Sequence, residues 1–203
     1  MFNYLKKAGR RPRVLALGGS LREGSSTQKA LQLLLDHVAE AGCDTSLITG
    51  PALNLPFYGS QPDDRTEAAR FLVDQLRWAD GLFIGSPVYH GSISGVVKNA
   101  LDYAEDLRDD ERPYLSGRVV GVLTTGGGWQ GCVGTLGALR DVVHALRGWN
   151  TPFGVPINTH GPVPVFSADG RCQDDAVERQ LALLADQMVG CFDETLSTSL
   201  TSV

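Results

Sequence analysis

The sequence predicts a doubly wound α/β domain: a five-stranded parallel sheet in the order 2-1-3-4-5, covered by helices on both faces. Three observations carry that reading. Five short apolar runs, at residues 13–17, 45–48, 81–85, 119–124 and 153–157, alternate with five stretches of helical periodicity. This alternation marks a parallel sheet with both faces buried. The segments after runs one, three and four (18–24, 86–92 and 125–131) are the richest in Gly, Ser and Thr. In this topology those same segments meet beyond the C-terminal strand ends, at the switch point between strands 1 and 3 where ligands bind.

Each element has its own justification. Residues 13–17 form a short buried strand that Gly18-Gly19 ends. A helix begins near Ser25, with Leu31, Leu34, Leu35 and Val38 on one face, and Gly42 supplies its stop. The strand at 45–48 ends at Gly50-Pro51, and a stretch rich in proline and aromatics, with Leu55-Pro56-Phe57-Tyr58, precedes a helix at 64–78. The third strand runs through 86–92 into a helix at 92–107, whose Val96, Val97, Ala100, Leu101 and Ala104 share a face. A polar linker, 108–117, leads to the fourth strand, which Thr125-Gly126-Gly127-Gly128 breaks. The helix at 132–147 turns Leu136, Leu139, Val143 and Leu146 inward. The strand at 153–157, a loop through Gly161-Pro162-Val163-Pro164 and a helix at 174–189 complete the domain. The chain thus divides into a basic N-terminal extension (1–12), one domain (13–192) and a flexible tail (193–203).

Composition narrows the function. A formal net charge of −5, with 42% hydrophobic and 20% charged residues, is ordinary for a soluble domain and argues against a general nucleic-acid partner. The basic cluster Lys6, Lys7, Arg10, Arg11 and Arg13 is followed by only four apolar residues, Val14 to Leu17. A signal peptide needs roughly 7–15, and no stretch approaches the ~20 apolar residues of a membrane span. Cys43, Cys132, Cys172 and Cys191 lie far apart with no C-x-x-C pair. They lack the spacing of zinc or iron–sulfur sites, and we read them as reduced thiols of a cytoplasmic protein with no metal centre.

The three loops divide the chemistry. In the first, Gly18-Gly19-Ser20 turns tightly and Ser25-Ser26-Thr27 opens a helix. Free amides and a partial positive charge at a helix N-terminus suit a phosphate. The hydroxyls of Ser20, Ser25, Ser26 and Thr27 would add hydrogen bonds, and Arg22 a charge-assisted one. The competing reading is a capping box, Ser25-x-x-Gln28, that satisfies only the helix. The P-loop pattern fails because Ser25 stands where its lysine belongs. The second loop, Pro87-Val88-Tyr89-His90-Gly91, suits a flat ring with polar edges. Tyr89 would contact the ring; His90 is either a partner of a polar ring edge or a solvated loop residue. Serine-hydrolase spacing fails there, since Ile93 occupies the nucleophile's place in Gly91-Ser92-Ile93-Ser94-Gly95. The third loop, Thr125-Gly126-Gly127-Gly128, lets backbone approach the ligand; its G-x-G-x-x-G pattern lies in the wrong unit for a nicotinamide fingerprint. Trp129 is open to two roles, ligand wall or subunit contact. A phosphate site beside a flat-ring site describes a mononucleotide, and flavin mononucleotide (FMN) fits best.

At these residues the chain resembles the flavodoxin-like, NADPH-dependent FMN reductase family. Residues 18–26 are similar to its G-S-x-R-x-x-S phosphate loop, and residues 86–102 to its long S-P-x-Y signature ending in K-N-x-L-D. His90 and Val97 depart from the usual residues at their positions. The resemblance implies that Ser20, Arg22, Ser25, Ser26 and Thr27 hold the FMN phosphate. Pro87, Val88, Tyr89, His90 and Gly91 would run along the ring system, and Thr125, Gly126, Gly127 and Gly128 would close the other side. It also implies hydride transfer from NADPH or NADH through FMN to a small-molecule acceptor (flavin, quinone or azo compound), in a homodimer or homotetramer, with no side chain acting as catalytic acid or base. Two other readings are a flavodoxin-like electron carrier without reductase activity and a binding domain for a different phosphorylated ligand.

Overall fold

A computed structural model describes residues 10–59 and 65–192. The chain runs β1 (Arg13–Gly18), α1 (Ser26–Glu40), β2 (Asp44–Ile48), a 3-10 turn (Gly50–Leu53), α2 (Glu67–Trp78), β3 (Gly81–Tyr89), β4 (Ser92–Ile93), α3 (Gly95–Asp102) and a second 3-10 turn (Tyr103–Leu107). It continues through β5 (Val119–Gly126), α4 (Trp129–Ala145), β6 (Trp149–Asn150), β7 (Val155–Asn158) and α5 (Asp175–Phe192). The sheet order is β2-β1-β3-β5-β6, with β7 also on β5. Val14 is paired with Thr45 on one side and Gly81 on the other, in parallel. The order 2-1-3-4-5 is therefore the one found, with β5 fourth and β6 and β7 sharing the fifth place.

Period-two alternation sends successive strand residues to opposite faces. Leu15, Leu17, Leu82, Ile84, Val120 and Val122 pack under Leu72 and Leu76 of α2, Val97 and Leu101 of α3, and Leu139 and Val143 of α4. Val14, Ala16, Phe83 and Leu123 pack instead under Leu31, Leu34 and Val38 of α1 and Leu181 and Leu184 of α5. Each fully buried leucine contributes about 1.5–3 kcal/mol by leaving water. Two apolar layers thus clamp the strands and leave their C-terminal ends as a rigid edge.

Several boundaries differ from the sequence reading, among them the third strand, which runs past residue 85 to Tyr89. The helix expected from residue 92 starts at Gly95, because Ser92–Ile93 pairs antiparallel with Val88 and Tyr89 and Ser94 caps α3 through Val97 N. Helix α4 starts at Trp129 rather than 132, capped by Gly128. The fifth strand is broken: Trp149–Asn150 pairs with Val119–Val120, and Val155–Asn158 with Leu123–Gly126. Pro152 brings no amide to the intervening bulge, and the Arg140 guanidinium fills it by donating to the Thr151 and Pro152 carbonyls. Residue 64, Lys6, Lys7 and the tail from 193 lie outside the described residues.

The opposite sheet end is held by charge. Asp80, 3% exposed, accepts two hydrogen bonds from Arg10, at 2.6 and 3.0 Å, and one from the Arg13 amide. Arg118 is buried, and loss of water pushes its pKa down to about 10. It donates to the Ala79, Tyr114 and Arg77 carbonyls.

Candidate functional site

A cleft of about 1010 Å³ opens at the C-terminal ends of β1, β3 and β5. Its walls include residues of all three Gly/Ser/Thr-rich segments: Ser20, Arg22, Ser25, Ser26 and Thr27; Pro87, Val88 and Tyr89; Thr125 and Gly126. The sheet order explains the meeting, since β1 leads to α1 on one face and its neighbour β3 to α3 on the other, so their exit loops diverge and leave a crevice at the switch point.

The first segment leaves β1 under tight steric control. Gly18 has φ +142°, and a Cβ there would lie inside contact distance of the Gly85 carbonyl oxygen and 2.8 Å from its carbon. That carbonyl accepts from the Gly19 amide at 3.0 Å, which starts the turn. Ser25 then caps α1, accepting from Gln28 N at 3.3 Å, and Gln28 Oε1 reaches back to the Gly24 amide at 2.9 Å. The capping arrangement is therefore formed, and it does not exhaust the helix end. The amides of Ser26 and Thr27 keep the unfilled donors of any first helical turn, and no acidic residue stands in that turn. Arg22 is exposed and makes no ion pair among the described residues.

Buried hydroxyls tie this turn to its neighbours. Thr27 Oγ1 and Thr125 Oγ1 lie 2.6 Å apart on the floor of the cleft, joining α1 to β5. Ser94 Oγ donates to the Gly19 carbonyl at 3.4 Å, and Ser86 Oγ accepts from Ser94 N while donating to the Pro87 carbonyl. Neither Ser86 nor Ser94 was singled out from the sequence; an N-cap serine three residues before an amphipathic stretch is the signal that would have found Ser94.

Beyond the sheet, β3 continues into a two-residue hairpin. His90 (φ +51°) and Gly91 (φ +81°) occupy the turn between Tyr89 and Ser92, the backbone of a type I′ turn. Pro87, Val88 and Tyr89 line the cleft, and His90 and Gly91 are not among its lining residues. The turn geometry accounts for both: glycine tolerates positive φ freely, and histidine is among the side chains enriched there.

In the third segment, Thr125 and Gly126 line the cleft; Gly127 and Gly128 do not. A Cβ on Gly126 would meet Val88 Cγ2 at 2.8 Å, so this glycine is required by packing between β5 and the Pro87–Tyr89 segment. A Cβ on Gly127 or Gly128 would meet nothing within 4 Å. Thr159 completes this wall, donating from its amide to the Gly126 carbonyl at 2.7 Å. The outer wall is the strap after β2, with Leu53, Asn54, Leu55 and Phe57, and Asn99 beneath it. The strap's Tyr58 sits near Asp106, and burial first, then that carboxylate, push its phenol pKa up.

These residues fit FMN. One end of the cleft offers two helix-terminal amides, the hydroxyls of Ser20 and Ser26, and an exposed guanidinium, which suits a phosphate dianion. The rest is walled by Leu53, Leu55, Val88, Val96 and Tyr89 with few polar groups, which suits a ring system. Fold and site together define a flavodoxin-like mononucleotide-binding domain. Residues 12–161 match the family model for NADPH-dependent FMN reductase. An FMN-dependent NADPH-azoreductase from Staphylococcus aureus is 30% identical over 182 aligned residues, 86% of this chain and 92% of that protein. The flavoenzyme NAD(P)H:(acceptor) oxidoreductase FerB from Paracoccus denitrificans superposes with a TM-score of 0.72 at 25% identity, over 89% of this chain and 97% of its own. An apo NADH:FMN oxidoreductase (EMOB) shares the fold with a TM-score of 0.69 at 23% identity, covering 92% and 93% of the two chains.

The chain belongs to the NADPH-dependent FMN reductase family. Its chemistry is electron transfer from a reduced nicotinamide through FMN to an acceptor, which favours an enzyme over a simple flavodoxin carrier.

Proposed function

We propose that the cleft holds FMN with its phosphate at the Ser20–Thr27 turn and its rings along Pro87–Tyr89, facing Thr125–Gly126, and that quinones, azo compounds and free flavin are its acceptors. The observation that carries this is the convergence of the three segments on one cleft with a phosphate-type end and an apolar end. Bound FMN supplies the redox chemistry, taking a hydride from NAD(P)H and releasing electrons to the acceptor. The protein's part is positional. The Ser26 and Thr27 amides and Arg22 bind the anionic end, while the Thr27–Thr125 and Ser86–Ser94 links hold the segments in register. Tyr89 and the leucines of the strap exclude water from the apolar end. No residue is required to move a proton.

One cleft lined by all three segments suits sequential visits by donor and acceptor. With NADPH and a quinone both varied, initial rates should give parallel double-reciprocal lines; intersecting lines would require donor and acceptor to bind together.

We also infer a homo-oligomer. Trp129 and Val133 lie more than half exposed on the face of α4, close in sequence to the Gly126 wall, and an apolar exposed cluster of this kind marks contact surface. Light scattering should give twice or four times the 21.8 kDa chain mass; a monomer at micromolar concentration would contradict it. Cys43, Cys132, Cys172 and Cys191 are free thiols, which suits a reducing, cytoplasmic compartment. Among the described residues no helix is long and apolar enough to cross a membrane.

A further inference from the structure

From Asn54 to Tyr58 the strap belongs to no helix or strand, yet it supplies the outer wall of the cleft. Side chains of the following elements fix it instead. The Pro56 carbonyl accepts from the Tyr103 hydroxyl at 2.9 Å and from Asn99 Nδ2 at 3.0 Å. The Tyr58 amide donates to Asn99 Oδ1 at 2.9 Å.

Behind this wall stands a polar and aromatic group, Tyr58, Arg65, Tyr103 and Asp106, none of which lines the cleft. Arg65 and Asp106 pair through two parallel bonds, Nε to Oδ2 and Nη2 to Oδ1, each 2.8 Å long. Their side chains are only 16% and 23% exposed. The same Oδ1 accepts from the Tyr58 hydroxyl at 3.2 Å. The guanidinium carbon lies 4.6 Å from the Tyr58 ring centre and 5.1 Å from that of Tyr103, and the two rings meet edge-on at 5.3 Å. A forked pair that also stacks on rings uses the two properties that distinguish arginine from lysine. It is held more firmly than an exposed ion pair, whose contribution is often close to nothing.

The pair also has a telling position. Asp106 belongs to the 3-10 turn after α3, and Arg65 stands just before Thr66, the cap of α2. Both elements are anchored in the core, through Leu107 on one side and Leu72 and Leu76 on the other. The ion pair therefore ties two fixed elements together across Tyr58, the residue on which the strap ends.

We propose that the Arg65–Asp106 pair is a latch that sets the outer wall of the flavin ring site, with both members acting as positioning residues through Tyr58. This rests on the FMN reading above and adds to it: the ring end of the cleft depends on an ion pair outside the cleft, and the phosphate end does not. Asp106→Ala should therefore weaken FMN and riboflavin by the same factor, about three- to tenfold, since both carry the rings and only FMN the phosphate. Asp106→Asn keeps the shape and an acceptor for the Tyr58 hydroxyl; it should lose less, and it serves if the alanine variant does not fold. Arg65→Ala should match Asp106→Ala, and the double variant should lose no more than the larger single loss, because the two act as one unit. Hydrogen exchange on the flavin-free protein reads the latch without any ligand. In the Asp106 variant the Tyr58 amide should exchange about tenfold faster, with the β1 amides unchanged.

Unchanged flavin affinities beside a lower urea midpoint would reduce the pair to a stabilising contact and overturn the proposal. So would a loss confined to FMN, additive losses in the double variant, or a Tyr58 amide that exchanges as in the wild type. Failure of the FMN reading looks different: the wild type would bind neither flavin, while the exchange measurement would still decide whether the pair holds the strap.

Discussion

Gly18→Ala should lower stability by about 3 kcal/mol or more and abolish FMN binding. Two penalties act at this position. The backbone sits at φ +142°, which L side chains rarely adopt, and the added methyl would press into the Gly85 carbonyl group. Strained backbone costs on the order of 1–3 kcal/mol, and overpacking a tight site another 1–3. The clash also breaks the Gly19 N to Gly85 O bond that begins the first turn, so the binding loss exceeds what reduced stability alone would give. Urea unfolding should show a clearly lower midpoint at an unchanged slope. A midpoint within error of the wild type would mean that β1 and β3 do not approach as closely as described. Gly24→Ala is the useful companion, since a Cβ there meets nothing within 4 Å and only its φ of +65° is strained.

The second large effect concerns the phosphate end. A charge-assisted hydrogen bond contributes about 1.5–3 kcal/mol, so Arg22→Ala should weaken FMN binding roughly 10- to 150-fold. Riboflavin has the same rings and no phosphate, and its affinity should hardly change in the variant. Quenching of flavin fluorescence measures both constants. Equal losses for FMN and riboflavin would place Arg22 elsewhere than at the phosphate. Added salt should narrow the FMN preference of the wild type, because Arg22 is exposed and therefore open to screening.

The strand order and the convergence of three segments were legible because both depend on pattern. Apolar runs such as 81–85 and helical stripes such as Leu31, Leu34, Leu35 and Val38 survive any local detail. What was not legible depended on backbone geometry and long-range polar contacts. The extension of β3 to Tyr89 as a hairpin turns on positive φ at His90 and Gly91, and the sequence signal for that turn type is usually Asn-Gly. His90 in the first place conceals it; of its two readings, ring partner or solvated loop residue, the turn leaves it exposed and outside the cleft lining. Gly126 lines the cleft, and a Cβ there would also meet Val88 at 2.8 Å, a packing demand that no local spacing encodes. The split of the last strand follows from Pro152 and from an arginine, Arg140, on another element.

Asn99 and Thr159 show the same limit at the site. Asn99 lay in a recognisable motif, yet its work is to brace a strap more than 40 residues earlier in the chain, a relation that no local spacing encodes. Thr159 reaches the cleft only because β7 pairs with the far end of β5. In contrast, Ser25 was read with two competing roles, cap or phosphate ligand. In the structure the cap forms, and the Ser26 and Thr27 amides keep the unfilled donors of a first helical turn, so capping alone does not exclude a phosphate there.

The proposed function requires that FMN occupy this cleft and relay electrons from a reduced nicotinamide to an acceptor. The most direct measurement is the visible spectrum of the FMN-loaded protein during anaerobic addition of NADPH, followed by a quinone. The flavin absorption band should bleach with about one equivalent of NADPH and return when the quinone is added, since both visit the same flavin in turn. A protein that binds FMN but keeps its band in excess NADPH would contradict the reductase reading and leave an electron carrier; one that binds no FMN would contradict the site itself.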